Sequence, residues 1–384
     1  MARVNVFTPA IGRTRFSGGL LTVLHYANGL VERGHRVTVV PLGPSPRPEW
    51  FAPRFEIFAG HRRARLGALV QAGLARRRAV FGAELSRLLA QAAGRAGYAF
   101  RRAAALESLR GVVPPADVTL ATSFDTALPV HLLGSGRKLY FAQHYEPFFA
   151  GESDFPALAE TDALASYGYP GLSVIANSSW LAAELKTRHG IDAPVCVNAI
   201  DQGAFFPEGQ PPDPAERFVV ISYGGRDARW KGFAEAAEAV RTARASIPNL
   251  EWRVYGDALM PPDNAVAPYV PLGFITGAAL RRAYSAAHAL LASSWYESFP
   301  LFPLEAMACG AAVVTTPLGT EDYAHHGENA LVVPAREPAA MAAALVSLHR
   351  DETLRRTLVA AGLETARRFT WERSVARMAE LLGI

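Results

Sequence analysis

The sequence predicts an α/β protein made of two Rossmann-like, doubly wound parallel-sheet domains. Three observations carry this. The chain has 384 residues, too many for one ordinary core and about right for two. Short runs rich in β-branched and aromatic residues alternate with helix-like stretches, the pattern of βαβ units. Near residues 201–216 the alternation stops at Gln210-Pro211-Pro212-Asp213-Pro214, a linker or exposed loop, and then restarts.

In chain order, residues 4–9, 36–42, 117–123, 138–143, 172–178 and 195–200 read as strands, with helices over 19–33 and 179–189. After the linker, 217–223, 250–255, 288–293, 311–316 and 330–333 read as strands. Residues 233–245, 277–287, 303–308 and 338–348 read as helices, and Thr370 is an N-cap for a last helix through Leu382. The expected domains are 1–200 and 201–369, with helix 370–384 packing back on the first. Two such domains facing each other leave a cleft, and ligands of open α/β sheets bind at the carboxyl ends of the strands.

Composition narrows the function classes. Half the residues are hydrophobic and 19% are charged, a globular rather than a disordered composition. The apolar runs 288–292 and 311–314 stop well short of membrane-spanning length, and the first residues run into a strand pattern instead of a signal-peptide core. Cys196 and Cys309 have no metal or redox spacing and read as buried small residues in a reducing compartment, so the expected location is cytoplasmic. The net charge of +4 is unevenly spread, with eleven arginines in residues 62–110 against Glu84 and Glu107. Only Lys138, Lys186 and Lys231 accompany 36 arginines, so a lysine inside a motif stands out.

Glu297-Ser298-Phe299-Pro300-Leu301-Phe302-Pro303-Leu304-Glu305 follows an apolar strand. Pro303 suits the first position of a helix, which puts Glu305 in the first turn and Glu297 on the loop before it. Free N–H groups at a helix start favour an anion such as phosphate, and carboxylates beside them can accept from sugar or ribose hydroxyls. The same pattern also suits a glutamate that complements the helix dipole and another that is solvated. Gly224-Gly225-Arg226-Asp227-Ala228-Arg229-Trp230-Lys231-Gly232 joins a strand to a helix. Arg226 and Lys231 there offer a planar fork and a point charge to a diphosphate leaving group, or form a solvated basic loop. Phe16-Ser17-Gly18-Gly19-Leu20 lies between the first strand and helix, where glycines let a ligand approach the backbone or simply serve the turn. His144 ends a first-domain strand at the cleft edge, as a catalytic or a structural histidine.

The stretch 297–310 resembles the glutamate-x7-glutamate motif of retaining GT-B glycosyltransferases, family 4 (glycosyl transferases group 1). The resemblance implies a GT-B fold and a metal-independent transfer of a sugar from a nucleoside-diphosphate-sugar, with retention of anomeric configuration. It implies that Glu297 contacts the donor sugar, Glu305 the ribose, and the backbone of Ser298, Phe299 and Pro300 the sugar and phosphates. Arg226 and Lys231 match the family's Gly-Arg…Lys-Gly grip on the diphosphate. Gly18 and Gly19 match a Gly-Gly loop near it, with Arg13 and Arg15 in the same loop. His144 matches a histidine close to the transferred sugar, and Phe274 and Ile275 lie where the family contacts the base. Further echoes are Asn177-Ser178 with Trp180, Asn198-Ala199-Ile200-Asp201, where Ala199 replaces the usual Gly, and Gly319-Thr320-Glu321. They are densest from Gly224 to Val333 and loosest in residues 41–115. Gln143 through Phe149 resembles a subgroup that includes bacterial rhamnosyltransferases.

No Asp-x-Asp metal motif is present, so neither metal nor other cofactor is expected. The expected partners are a nucleotide-sugar donor and a glycan, lipid-linked or small-molecule acceptor. The basic 62–110 region reads either as a helix with a solvated basic face or as a peripheral contact with the anionic inner face of the cell membrane. Nucleic acid is not expected, since no binding module accompanies the charge. A nucleotide-sugar epimerase of the same fold and a non-catalytic nucleotide-sugar sensor are the alternatives.

Overall fold

The computed structural model describes residues 1–14, 16–61, 97–150, 157–225, 228–256 and 267–384. The chain divides into two compact units, Met1–Asn177 with Ala182–Cys196 and Val375–Ile384, and Ser178–Leu181 with Val197–Ser374.

In the first unit, β1 (Arg3–Thr8), β2 (Arg36–Pro41), β3 (Glu56–Ile57), β4 (Val118–Ala121), β5 (Arg137–Ala142) and β6 (Leu172–Ala176) pair in the order β3-β2-β1-β4-β5-β6, all parallel. Helices α1 (Gly18–Glu32), α2 (Phe124–Leu133), α3 (Ala157–Ser166) and α4 (Ser179–His189) lie between or after the strands, and residues 97–109 are also helical. Ser17 starts α1, its hydroxyl accepting from Leu20 N at 3.2 Å.

In the second unit, β7 (Phe218–Gly225), β8 (Leu250–Gly256), β9 (Val270–Gly273), β10 (Ala289–Leu291), β11 (Ala312–Thr315) and β12 (Leu331–Val332) pair in the order β12-β11-β10-β7-β8-β9, again parallel. Counted from its own first strand, this is the strand order of the first sheet and of a Rossmann fold. Its helices are α5 (Phe233–Ala243), α6 (Gly277–Ser285), α7 (Leu301–Ala308), α8 (Pro338–Arg350) and α9 (Glu352–Arg367). Phe218 and Val220 of β7 join one buried cluster with α5 and α8, while Val219 and Ile221 join another with α6 and α7. Alternate side chains thus bury both faces of the sheet, which is why these strands read as continuous apolar runs.

The final helix, α10 (Trp371–Leu382), sets Val375 against Gly29 of α1, where any Cβ would fall 2.4 Å from Val375 Cγ2. The α/β class and the two doubly wound parallel sheets are as the sequence predicts. Residues 195–200 do not form a strand. They make only isolated bridges, Ala176 to Val195 and Ile200 to Thr370, because the chain leaves the first unit between Cys196 and Val197 and cannot continue one ladder. Strands β3 and β9 escape the sequence pattern, β3 because only Glu56–Ile57 pair and β9 because a proline interrupts it. β9 contains Pro271, which an edge tolerates and a centre does not.

Candidate active site

In each sheet the strand order reverses once. In the second sheet it does so between β7 and β10, so a ligand is expected beyond the carboxyl ends of those two strands. Lys231 follows β7 and Glu297 follows β10.

Lys231 closes a short 3-10 turn, Arg229–Lys231. The next residue, Gly232, has φ 68°, and a Cβ there would fall 1.9 Å from the carbonyl oxygen of Ser293. Only glycine lets this turn lie against the end of β10. Ser293 Oγ donates to the Lys231 carbonyl at 3.2 Å, and Trp295 N donates to the Trp230 carbonyl at 2.7 Å. So held, Lys231 Nζ lies 2.6 Å from Glu297 Oε1 and 4.0 Å from the centre of the Trp230 ring. Ser294 Oγ donates to the same Oε1 at 2.8 Å. Glu297 is 8% exposed, so its charge is balanced by one ammonium in a nearly dry setting. Its main chain is fixed as well. Its N donates to Leu318 O at 3.1 Å, and its carbonyl faces Gly319 (φ 89°), where a Cβ would fall 2.3 Å away.

Helix α7 begins at Leu301, with Pro300 as its N-cap, and not at Pro303. Pro303 therefore takes the third position, where an N–H still has no intrahelical acceptor and a proline costs little. Glu305 falls in the second turn and not the first. Burial alone pushes its carboxyl up to about 8, and no described residue donates a hydrogen bond to it. It lies within electrostatic reach of Tyr255 and Tyr284, whose hydroxyls are 2.6 Å apart.

The side chains of Ser298 and Phe299 are buried. Ser298 Oγ lies 3.3 Å from Ser178 Oγ, Phe299 packs edge-on to Tyr323 at 5.3 Å, and Tyr323 Oη donates to the Pro300 carbonyl at 2.7 Å. The side chains of this segment belong to the core, so a ligand here would meet its main chain. Phe274 and Ile275 follow β9. Ile275 packs against the cluster that contains Tyr255 and Leu304, and Phe274 is exposed.

In the first unit, Gly18 and Gly19 are the first residues of α1, the element that follows the switch strand β1 after residues 9–17. Neither has a positive φ, and a Cβ on Gly18 would meet nothing within 4 Å. Neither backbone conformation nor packing accounts for Gly18. A Cβ on Gly19 would lie 3.4 Å from Gln143 Oε1, so this turn adjoins the segment after β5. There the His144 ring packs on Phe149 at 4.4 Å, and its carbonyl accepts from Tyr167 Oη at 3.1 Å. Glu146 is held by Tyr140 Oη at 2.5 Å and Phe124 N at 2.8 Å, both on Oε2, and burial pushes its carboxyl up to about 8. Arg13 pairs with Glu49 at 2.7 Å.

Arg226, Arg15 and residues 62–96 of the basic region lie outside the described residues. Among the described residues, no three His, Cys, Asp or Glu side chains cluster as metal ligands, and no helix is long and apolar enough to cross a membrane. Ser293 and Ser294 carry no motif in the sequence reading. The signal available was a polar pair directly after an apolar strand, three residues before a glutamate.

Residues 217–351, from the start of β7 to just past α8, match the family described as Glycosyl transferases group 1. Over 70% of its length the chain is 29% identical to the O-antigen biosynthesis protein RfbC of Myxococcus xanthus, of which it covers 21%. Over 53% of its length it is 28% identical to the D-inositol 3-phosphate glycosyltransferase of Pseudarthrobacter chlorophenolicus, of which it covers 53%. The chain thus spans about a fifth of the first of these curated relatives and about half of the second. The solved structure of Anabaena HepE in complex with UDP-glucose matches over 100% of both chains, with a TM-score of 0.69 at 17% identity. That likeness is one of fold, and the fold is GT-B.

Proposed function

We propose that this chain, whose residues 217–351 form a glycosyl transferases group 1 domain on a GT-B fold, transfers a sugar from a nucleoside-diphosphate-sugar to a glycan, lipid-linked or small-molecule acceptor. The observation that carries the reading is the largely buried Lys231–Glu297 pair at the switch point of the second sheet, with Glu305, which receives no hydrogen bond from a described residue, on the following helix.

Lys231, with Arg226, holds the diphosphate. A cation there gains strength as negative charge grows on the leaving phosphate, the task a divalent metal performs elsewhere. Transfer is therefore metal-independent. Glu297 meets hydroxyls of the donor sugar. Desolvation pushes the Glu305 carboxyl up to about 8, and hydroxyls of a ribose supply the hydrogen bonds that the protein does not. Phe274 and Ile275 meet the base, and Gly18, Gly19 and His144 serve the diphosphate and the transferred sugar.

The bond from the anomeric carbon to the leaving phosphate oxygen breaks, and the bond to the acceptor oxygen forms on the same face. The acceptor proton passes to the leaving phosphate, so the configuration is retained without a protein nucleophile. The test is incubation of the chain with a panel of nucleotide sugars and glycoside acceptors in EDTA, followed by NMR. Nucleoside diphosphate release with a new glycoside of unchanged anomeric configuration is expected. An altered free nucleotide sugar, or turnover only with a divalent metal, contradicts the reading.

A further inference from the structure

The two serines that end β10 divide the work of building the ion pair. Ser293 acts on the lysine side, with its hydroxyl on the Lys231 carbonyl and its own carbonyl against Gly232. Ser294 acts on the glutamate side. It is 4% exposed, its carbonyl accepts from Thr316 Oγ1 at 2.5 Å, and its hydroxyl donates to Glu297 Oε1 at 2.8 Å. Lys231 Nζ reaches the same oxygen at 2.6 Å. Both donors converge on Oε1, and no described residue donates to Oε2. A carboxylate bonded at one oxygen by a rotatable ammonium alone can turn about its last torsion, which is broad. A second donor from rigid backbone fixes that angle and leaves Oε2 as the acceptor for a ligand hydroxyl.

We infer that Ser294 is a positioning residue for donor-sugar recognition: it fixes Glu297 so that Oε2 faces the sugar of the nucleotide donor. The inference rests on the donor-site reading above. It separates the serines by function. Ser294 should govern recognition of the sugar, and Ser293, through the Lys231 turn, recognition of the diphosphate.

The experiment is calorimetric binding of UDP against UDP-glucose, and of GDP against GDP-mannose, to wild type, Ser294→Ala and Ser293→Ala. Ser294→Ala is expected to lose about tenfold in affinity for the nucleotide sugar, the worth of a hydrogen bond to a charged group, while nucleoside diphosphate affinity stays the same. Ser293→Ala is expected to weaken both ligands of a pair together. Equal losses for both ligands in Ser294→Ala, or no loss for either, overturn the positioning role and leave the donor site standing. If wild type binds none of UDP, GDP, ADP and dTDP, the donor-site reading falls, and this inference with it. Ser294→Cys is nearly isosteric but a poor donor. It carries the same expectation should the alanine variant not fold.

Discussion

Two half-buried glutamates, one in each unit, have carboxyls raised to about 8, yet they differ in what surrounds them. Glu146 in the first unit accepts from Tyr140 Oη and from Phe124 N, so the protein supplies the donors its burial requires. Glu305 in the second unit has burial as the sole cause of its shift and no donor among the described residues. A buried acid that the fold satisfies is structural. One that receives no protein donor and is raised by desolvation alone can be completed by a ligand. The raised value alone does not tell the two apart, whereas the donor count does.

The largest expected effect breaks the second site outright. Lys231→Ala leaves Glu297 buried without its counter-charge, which should cost about 3 kcal/mol of stability. It should also weaken nucleoside diphosphate binding by about 1.5–3 kcal/mol. Thermal unfolding and calorimetry check the two. Replacing the pair together by Met and Leu should restore much of the stability and none of the binding.

Glu146→Ala comes next. It strands the Tyr140 hydroxyl and the Phe124 N–H in a buried setting and should lower stability by about 2 kcal/mol. Nucleoside diphosphate affinity should fall far less than in Lys231→Ala, since the donors to this carboxyl come from the fold and not from a ligand. A large loss of affinity would erase the distinction between the two acids.

Glu305→Gln has the opposite sign and shows it only at high pH. The folded-state pKa of about 8 lies above the ordinary 4.5. The contribution of Glu305 to stability is therefore full below the unfolded value and is lost as pH rises through about 8. The glutamine variant lacks that loss. Its melting temperature should exceed that of wild type by a few degrees at pH 8 and match it near pH 4.5, followed by thermal scans across that range. Glu305→Ala should lose the preference for a ribonucleotide over its 2′,3′-dideoxy form. Preserved preference would place the ribose elsewhere.

How much of this was legible in the sequence follows the same divide. Central strands of the second sheet bury both faces and announce themselves as apolar runs, and Lys231, Glu297 and Glu305 stand out as charges placed directly after them. The edge strands β3 and β9 were not legible, because Glu56–Ile57 pairs over two residues only and Val270–Gly273 contains a proline, whereas the short edge strand β12 lies in an apolar run. Nor was the start of α7: Pro303 fits the first and the third helical position equally, and only the cap at Pro300 decides between them. Ser294 was hidden for a different reason. A hydroxyl that orients another side chain has no spacing signature of its own, and its partner Oε1 is visible only in three dimensions. In the first unit, Gly18 was visible as a glycine in a turn. That the turn does not need it became apparent only from the open space around its missing Cβ.

The central claim is that the carboxyl edge of the second sheet is a nucleoside-diphosphate-sugar site that needs no metal. Calorimetric titration of wild type, Lys231→Ala and Glu305→Ala with UDP, GDP, ADP and dTDP in EDTA tests it most directly. Binding of one nucleoside diphosphate to wild type, weakened in both variants, is the predicted result. Binding that appears only when a divalent metal is added, or that neither variant alters, would contradict it.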